Sequence, residues 1–214
     1  INTDINVLGS LKDLNIIPLL LFNPEDGQSH TLIKTTGTYK RFVNTINRTL
    51  LHFKNANLEI LIRTIFSKEG LSFNSLLLLF WNASANNELL DYLNQNVYFP
   101  ALYSGRIALK KDEVSACLHE LKHSEMALQN LSASTIDRIA CKYLTILKKF
   151  NLMQGRANKT IIHHNITDKM LLHFVYWVLA VETKTNILES KWLQYSQCER
   201  DIFVQRITQK KFIK

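Results

Sequence analysis

Glycine and proline are scarce in this chain of 214 residues, six and three respectively. A β-rich architecture needs such residues at its many turns, so their shortage points to long helices joined by short connections, a mainly α fold. The cysteines, Cys117, Cys141 and Cys198, are odd in number, scattered and outside any C-x-x-C pair. That excludes a disulfide framework and a zinc ribbon and favours a reducing, cytoplasmic setting. No signal peptide is recognisable at the start, and no apolar run reaches the roughly 20 residues needed to cross a bilayer. The apolar runs Leu76 to Trp81 and Met170 to Val181 are therefore expected to be buried helices, and no membrane partner is expected. A phosphate-cradling glycine loop and a G-x-S-x-G elbow are also missing, so no cofactor is expected and catalysis has no obvious centre.

What the chain does have is positive charge, unevenly placed. The formal net charge is +8; residues 1–107 hold +1 of it and residues 108–214 hold +7. A localised field of this sign draws polyanions. The change coincides with Ser104-Gly105. This suggests a helical packing domain over 1–105 and a basic helical domain over 106–214.

In the first half, Tyr39, Phe42, Val43, Ile46 and Leu50 recur at helical spacing, with Lys40, Arg41 and Arg48 available to the other side as secondary phosphate contacts. Leu58 to Phe66 repeats the spacing and Gly70 offers a stop, while Leu71 to Trp81 is expected to be a core helix. Asn15 to Phe22 is apolar but interrupted by Pro18, and Asn23 to Gly27 reads as a loop. A helical segment over Asn87 to Tyr103 is expected to end at Pro100 or at Ser104-Gly105.

Residues 108–165 carry the functional reading, because helix, helix and short hairpin is the order of a winged helix-turn-helix. Ser132-Ala133-Ser134-Thr135 supplies hydroxyls suited to a helix N-cap. Behind them Ile136, Ile139, Ala140, Tyr143, Leu144, Leu147 and Phe150 form one apolar stripe. On the other side Arg138, Lys142, Thr145 and Lys149 align as a ridge at four-, three- and four-residue steps, with Thr135 and Lys148 nearby. A helix so built can enter the major groove, Arg138 reading base edges and the later cations neutralising phosphates. Gly155 stops the helix, Arg156 and Lys159 occupy a polar turn, and Thr160-Ile161-Ile162 is β-prone, which together read as the wing. Arg206, Lys210, Lys211 and Lys214 could add a terminal clamp.

Other motifs compete with this reading. His119-Glu120-Leu121-Lys122-His123 matches H-E-x-x-H, in which two imidazoles hold zinc and the glutamate activates water. A catalytic zinc needs three protein ligands, and Lys122 intrudes while no third ligand is evident. His163-His164 with His173 is a weak cluster, since neighbours on a strand face opposite ways; surface or wing positions suit them better. Phe174, Tyr176, Trp177 and Trp192 are expected in the core.

The chain resembles the BrxA proteins of bacterial BREX phage-resistance systems, some of which have carried an inner-membrane label. The resemblance runs from about Asn6 to Trp192 and is carried by Leu131-Ser132-Ala133-Ser134-Thr135-Ile136, by Lys142 through Leu152, by Tyr39-Lys40-Arg41 and by Leu79-Phe80-Trp81. It implies a small helical accessory protein, without enzyme activity, that binds double-stranded DNA beside larger ATPase and methyltransferase components. A docking scaffold without direct DNA contact is the alternative. The sequence leaves homo-oligomerisation open.

Overall fold

The computed structural model describes residues 14–22, 35–156, 158–182 and 186–209. It is mainly α, and among the described residues the strands are confined to one small antiparallel hairpin with a single added bridge. No helix among them is long and apolar enough to cross a membrane. Residues 23–27 and the terminal Lys210, Lys211 and Lys214 lie outside the described residues.

Helix α1 (Ile16–Phe22) includes Pro18, which the sequence reading took as an interruption. Proline in a first turn removes only an N–H that has no intrahelical partner, so the helix forms around it. α2 spans Thr36–Thr49 and α3 Ala56–Glu69. Asn55 caps α3 by accepting from the Leu58 N–H at 3.0 Å, and Gly70, at φ +58°, ends it in the left-handed region that glycine adopts readily. α4 (Phe73–Ala85) is the expected core helix, buried continuously from Leu77 to Ser84. A helix apolar on all sides must be enclosed by others. Around it Phe80 meets Phe150 (5.5 Å between ring centroids), Trp81 meets Trp177 (5.7 Å), and Trp177 meets Trp192 edge-on (5.2 Å).

The segment expected as one helix over 87–103 is three pieces: α5 (Glu88–Leu93), a π-helical turn (Asn94–Tyr98) and α6 (Phe99–Tyr103). Pro100 does not end it. The wider turn just before the proline re-routes the backbone bonds, with Phe99 N–H donating to Asn94 O, and the spiral continues to Ser104. The turn also places Asn94 in the core. Its Nδ2 donates to Ser84 Oγ (3.0 Å) and Tyr195 Oη (3.2 Å), and its Oδ1 accepts from Tyr143 Oη (2.9 Å). Tyr195 in turn donates to Asp91 Oδ1 at 2.7 Å, and Lys191 Nζ closes on Asp91 Oδ2 at 3.0 Å. Each member of this buried polar group is thereby satisfied by another.

Beyond Gly105 come α7 (Lys111–Ser124), a short 3-10 turn (Met126–Leu128), α8 (Ala133–Lys149), the hairpin β1 (Met153–Gln154) with β2 (Thr160–Ile161), α9 (Asp168–Val181) and α10 (Arg200–Gln209). α7 and α8 pack together. The buried hydrophobic residues on the two sides of residue 105 belong to one cluster. Of the four aromatics assigned to the core by sequence, Phe174, Trp177 and Trp192 are buried, whereas Tyr176 is exposed on α9. α9 is therefore enclosed on one face only.

Candidate nucleic-acid interface

α8 starts where its sequence says it should. Ser132 Oγ accepts from the Thr135 N–H (3.2 Å) and meets Thr135 Oγ1 at 2.9 Å, so the hydroxyls at this end serve the cap. Ile136, Ile139, Ala140, Tyr143, Leu144, Ile146 and Leu147 are buried, which fixes the helix's rotation and decides what faces outward. Arg138 is fully on the solvent side; Thr135, Lys142, Thr145, Lys148 and Lys149 are half-buried along the flanks. Thr145 Oγ1 donates its one hydrogen to Cys141 O (2.8 Å), leaving it able only to accept.

Asp137, next to Arg138, faces α7. It accepts from Ser115 Oγ (2.9 Å) and pairs with Lys111 Nζ (3.0 Å). These bonds hold its carboxyl below the usual aspartate range. The acid beside the proposed base reader is thus committed to joining the two helices. Among the described residues, Arg138, Lys148, Lys149, Arg156 and Lys159 form no ion pair.

The hairpin comes back against this surface. β1 and β2 pair Met153 with Ile161 and Gln154 with Thr160, and Ala108 bridges Thr160 from the other side. Ile161 N–H donates to Ile107 O at 2.8 Å. The chain just before α7 therefore lies beside β2, a pairing between residues far apart in sequence. At the turn Gly155 has φ +91°, and a Cβ there would stand 2.0 Å from Asn158 O, so only glycine fits. Arg156 is exposed in the turn.

Lys159, half-buried at the start of β2, is held below the ordinary lysine value first by burial, while Cys141 pulls it up and Lys148 pushes it down. Burial alone lowers the Lys149 ammonium to about 8.

Lys40, Arg41 and Arg48 are exposed on α2. The bonds that seat the end of α2 run to α4, with Asn86 Nδ2 donating to Thr49 O and Asn82 Nδ2 to Leu50 O. None of those bonds carries them to α8 or the hairpin. Arg206, suggested as a clamp, donates through Nε and Nη2 to Asp168 Oδ1 (3.0 and 2.6 Å).

His119, Glu120 and His123 lie exposed on α7, and among the described residues no three His, Cys, Asp or Glu side chains are grouped so as to hold a metal ion. His163 is exposed and bonds Arg106 O through Nε2 (3.1 Å). His164 stacks on Phe73 at 3.7 Å and bonds Asn151 O (2.6 Å), which makes it a half-buried packing residue that ties the segment after β2 to the end of α8. Sequence reasoning missed Ala108 and the Lys111–Asp137 tie. Asp137, at helical spacing from the apolar stripe, was the available signal for the second.

A family model described as BrxA matches residues 35–175. No curated protein and no solved structure matches the chain.

Proposed function

The chain belongs to the BrxA family, and on that premise we propose that it is a non-enzymatic component of a BREX anti-phage system that binds double-stranded DNA in the cytoplasm. In this reading α7 and α8 form a helix-turn-helix, with β1, β2 and the Ala108 bridge as its wing. Arg138 and Thr135 meet base edges near the start of α8, while Lys142, Lys148 and Lys149 and the hairpin's Arg156 and Lys159 meet phosphates. Lys40, Arg41 and Arg48 serve as outlying phosphate contacts.

The observation that carries the reading is the set of cations left without acid partners: Arg138 stands exposed on α8 while the neighbouring Asp137 is taken up by Lys111 and Ser115, and Arg138, Lys148, Lys149, Arg156 and Lys159 form no ion pair among the described residues. Cations without acid partners in the basic half of the chain leave their field open to a polyanion. An electrophoretic shift assay across a salt series tests it. The five phosphate contacts on α8 and the hairpin give a slope of log affinity against log salt of about −4.5, at roughly −0.9 per contact, and the outlying three steepen it further. Arg138→Glu combined with Lys159→Glu should abolish the shift; binding that survives this pair refutes the assignment. Partner capture that persists after nuclease treatment, with no DNA shift at low salt, would place the activity in protein docking instead.

A further inference from the structure

The end of α6, the segment after β2 and the run into α10 enclose a pocket of about 310 Å³, at the small end of the range for ligand sites. None of the cations assigned to DNA lines it. Its frame is held by bonds to backbone carbonyls: Tyr103 Oη donates to Gln194 O (2.8 Å), His163 Nε2 to Arg106 O (3.1 Å) and His164 Nε2 to Asn151 O (2.6 Å). A carbonyl only accepts, so each imidazole carries its hydrogen on Nε2, and the neutral ring keeps Nδ1 as an acceptor.

Two groups in the lining lack partners among the described residues. Gln197 Nε2 is buried and makes no hydrogen bond, and a buried donor left unpaired costs free energy. Its backbone stands at φ +55°, in the left-handed region that a residue with a side chain occupies at a cost, and such residues gather at ligand clamps. Glu199, two residues on, is exposed and forms no ion pair. Its charge reaches into the pocket, because burial first, with Cys198 and Glu199 adding to it, pushes the Tyr103 hydroxyl upward. The guanidinium in the lining is already spent, since Arg206 Nε and Nη2 close on Asp168 Oδ1.

We propose that the pocket takes the free N-terminus of a peptide whose first residue is apolar. The ammonium meets Glu199 and the Nδ1 acceptors, and the carbonyl of the same residue accepts from Gln197 Nε2. In an N-terminal residue that nitrogen and that oxygen are only about 3 Å apart, which suits partners two residues apart in one turn. Leu102, Ile166 and Ile202 supply an apolar wall for the side chain; Ile202 is 46% exposed and lies one helical turn beyond Glu199. Charge excludes the other ligand classes. A phosphate or a free carboxylate would meet the unpaired Glu199 with no free cation to receive it, and a simple amine would leave Gln197 Nε2 unpaired. Capture of a terminal amine is a recurring mode of peptide recognition.

Isothermal titration calorimetry of the full chain with leucyl-glycyl-glycinamide tests this. So small a contact implies a dissociation constant on the order of 0.1–1 mM. N-acetylation of the peptide and, separately, Glu199→Gln should each weaken binding at least about tenfold. With the parent chain, affinity should fall as pH rises through about 8, where an α-amino group loses its proton. Glu199 is exposed, so far-UV circular dichroism and melting temperature of the variant should stay as in the parent. Arg138→Glu should leave peptide binding intact, which separates this result from the DNA reading. Absence of binding up to about 10 mM peptide, well above the expected constant, overturns the proposal. An acetylated peptide that binds as tightly as the free one, or an affinity indifferent to Glu199→Gln, overturns it equally.

Discussion

Lys149 should make DNA affinity depend on pH in a range where most lysines stay charged. Burial lowers its ammonium to about 8 in the free protein, so it is roughly nine-tenths protonated at pH 7 and one-tenth at pH 9. A phosphate at the site stabilises the charged form and returns the group toward its ordinary value near 10.4. The bound value is then higher than the free one. Affinity is fully present below about pH 8 and declines as pH rises from there toward 10.4. Between pH 7 and pH 9 the loss is about tenfold, or ~1.4 kcal/mol. Lys159, also lowered by burial, acts in the same direction. Fluorescence anisotropy with a labelled duplex, at fixed ionic strength so that counterion release is constant, measures the profile. Lys149→Arg supplies a cation that does not titrate and should flatten it. Parallel declines in parent and Lys149→Arg, or a flat parent profile, would refute the assignment of Lys149 to the phosphate surface.

The same burial has a stability side. With a folded value below the unfolded one, the charged Lys149 costs stability in full below about pH 8 and the cost lifts as pH rises toward 10.4. Lys149→Met should raise the melting temperature at pH 7 by about 2 °C, for ~0.5–1 kcal/mol after allowing for solvent screening, while weakening DNA binding. Gly155→Ala forces a Cβ toward Asn158 O at φ +91°. It should cost about 1–3 kcal/mol by chemical denaturation and reduce DNA affinity through the displaced hairpin. Tyr143→Phe removes the hydrogen bond to Asn94 Oδ1. It should cost about 1–3 kcal/mol, read from the urea midpoint at unchanged slope.

Much of the fold could be read from the sequence because the forces involved are local. The Ser132 cap and the apolar stripe from Ile136 to Phe150 located α8, and the Leu71–Trp81 run located α4. The polar turn with Arg156 and Lys159 before the β-prone Thr160-Ile161 marked the hairpin, whereas Gly155, read as the stop of α8, sits in the hairpin turn and the helix already ends at Lys149. What escaped depends on partners distant in sequence. Pro100 reads as a stop only if the preceding turn is assumed to be α, and it is the bonds of Asn94 to Ser84, Tyr143 and Tyr195 that favour the π form. Helical spacing put Lys149 on an outward ridge, but spacing cannot report how far neighbouring elements cover a flank. Tyr176 reads as core by composition and is left outside because no described element encloses that side of α9.

The π turn at Asn94–Tyr98 also constrains what lengths the chain can have there. It holds one residue more than a regular spiral of the same rise, so deleting one would yield a locally more comfortable α-helix. Because the wide turn absorbs that residue, its loss leaves Phe99 and Leu102 facing inward as they do now, and the segment leading through Ala108 to the hairpin keeps its heading. What the deletion takes away is the inward seat of Asn94, and with it the bonds to Ser84, Tyr143 and Tyr195. The same gap within the regular spiral of α8 would instead turn everything after it by about 100°.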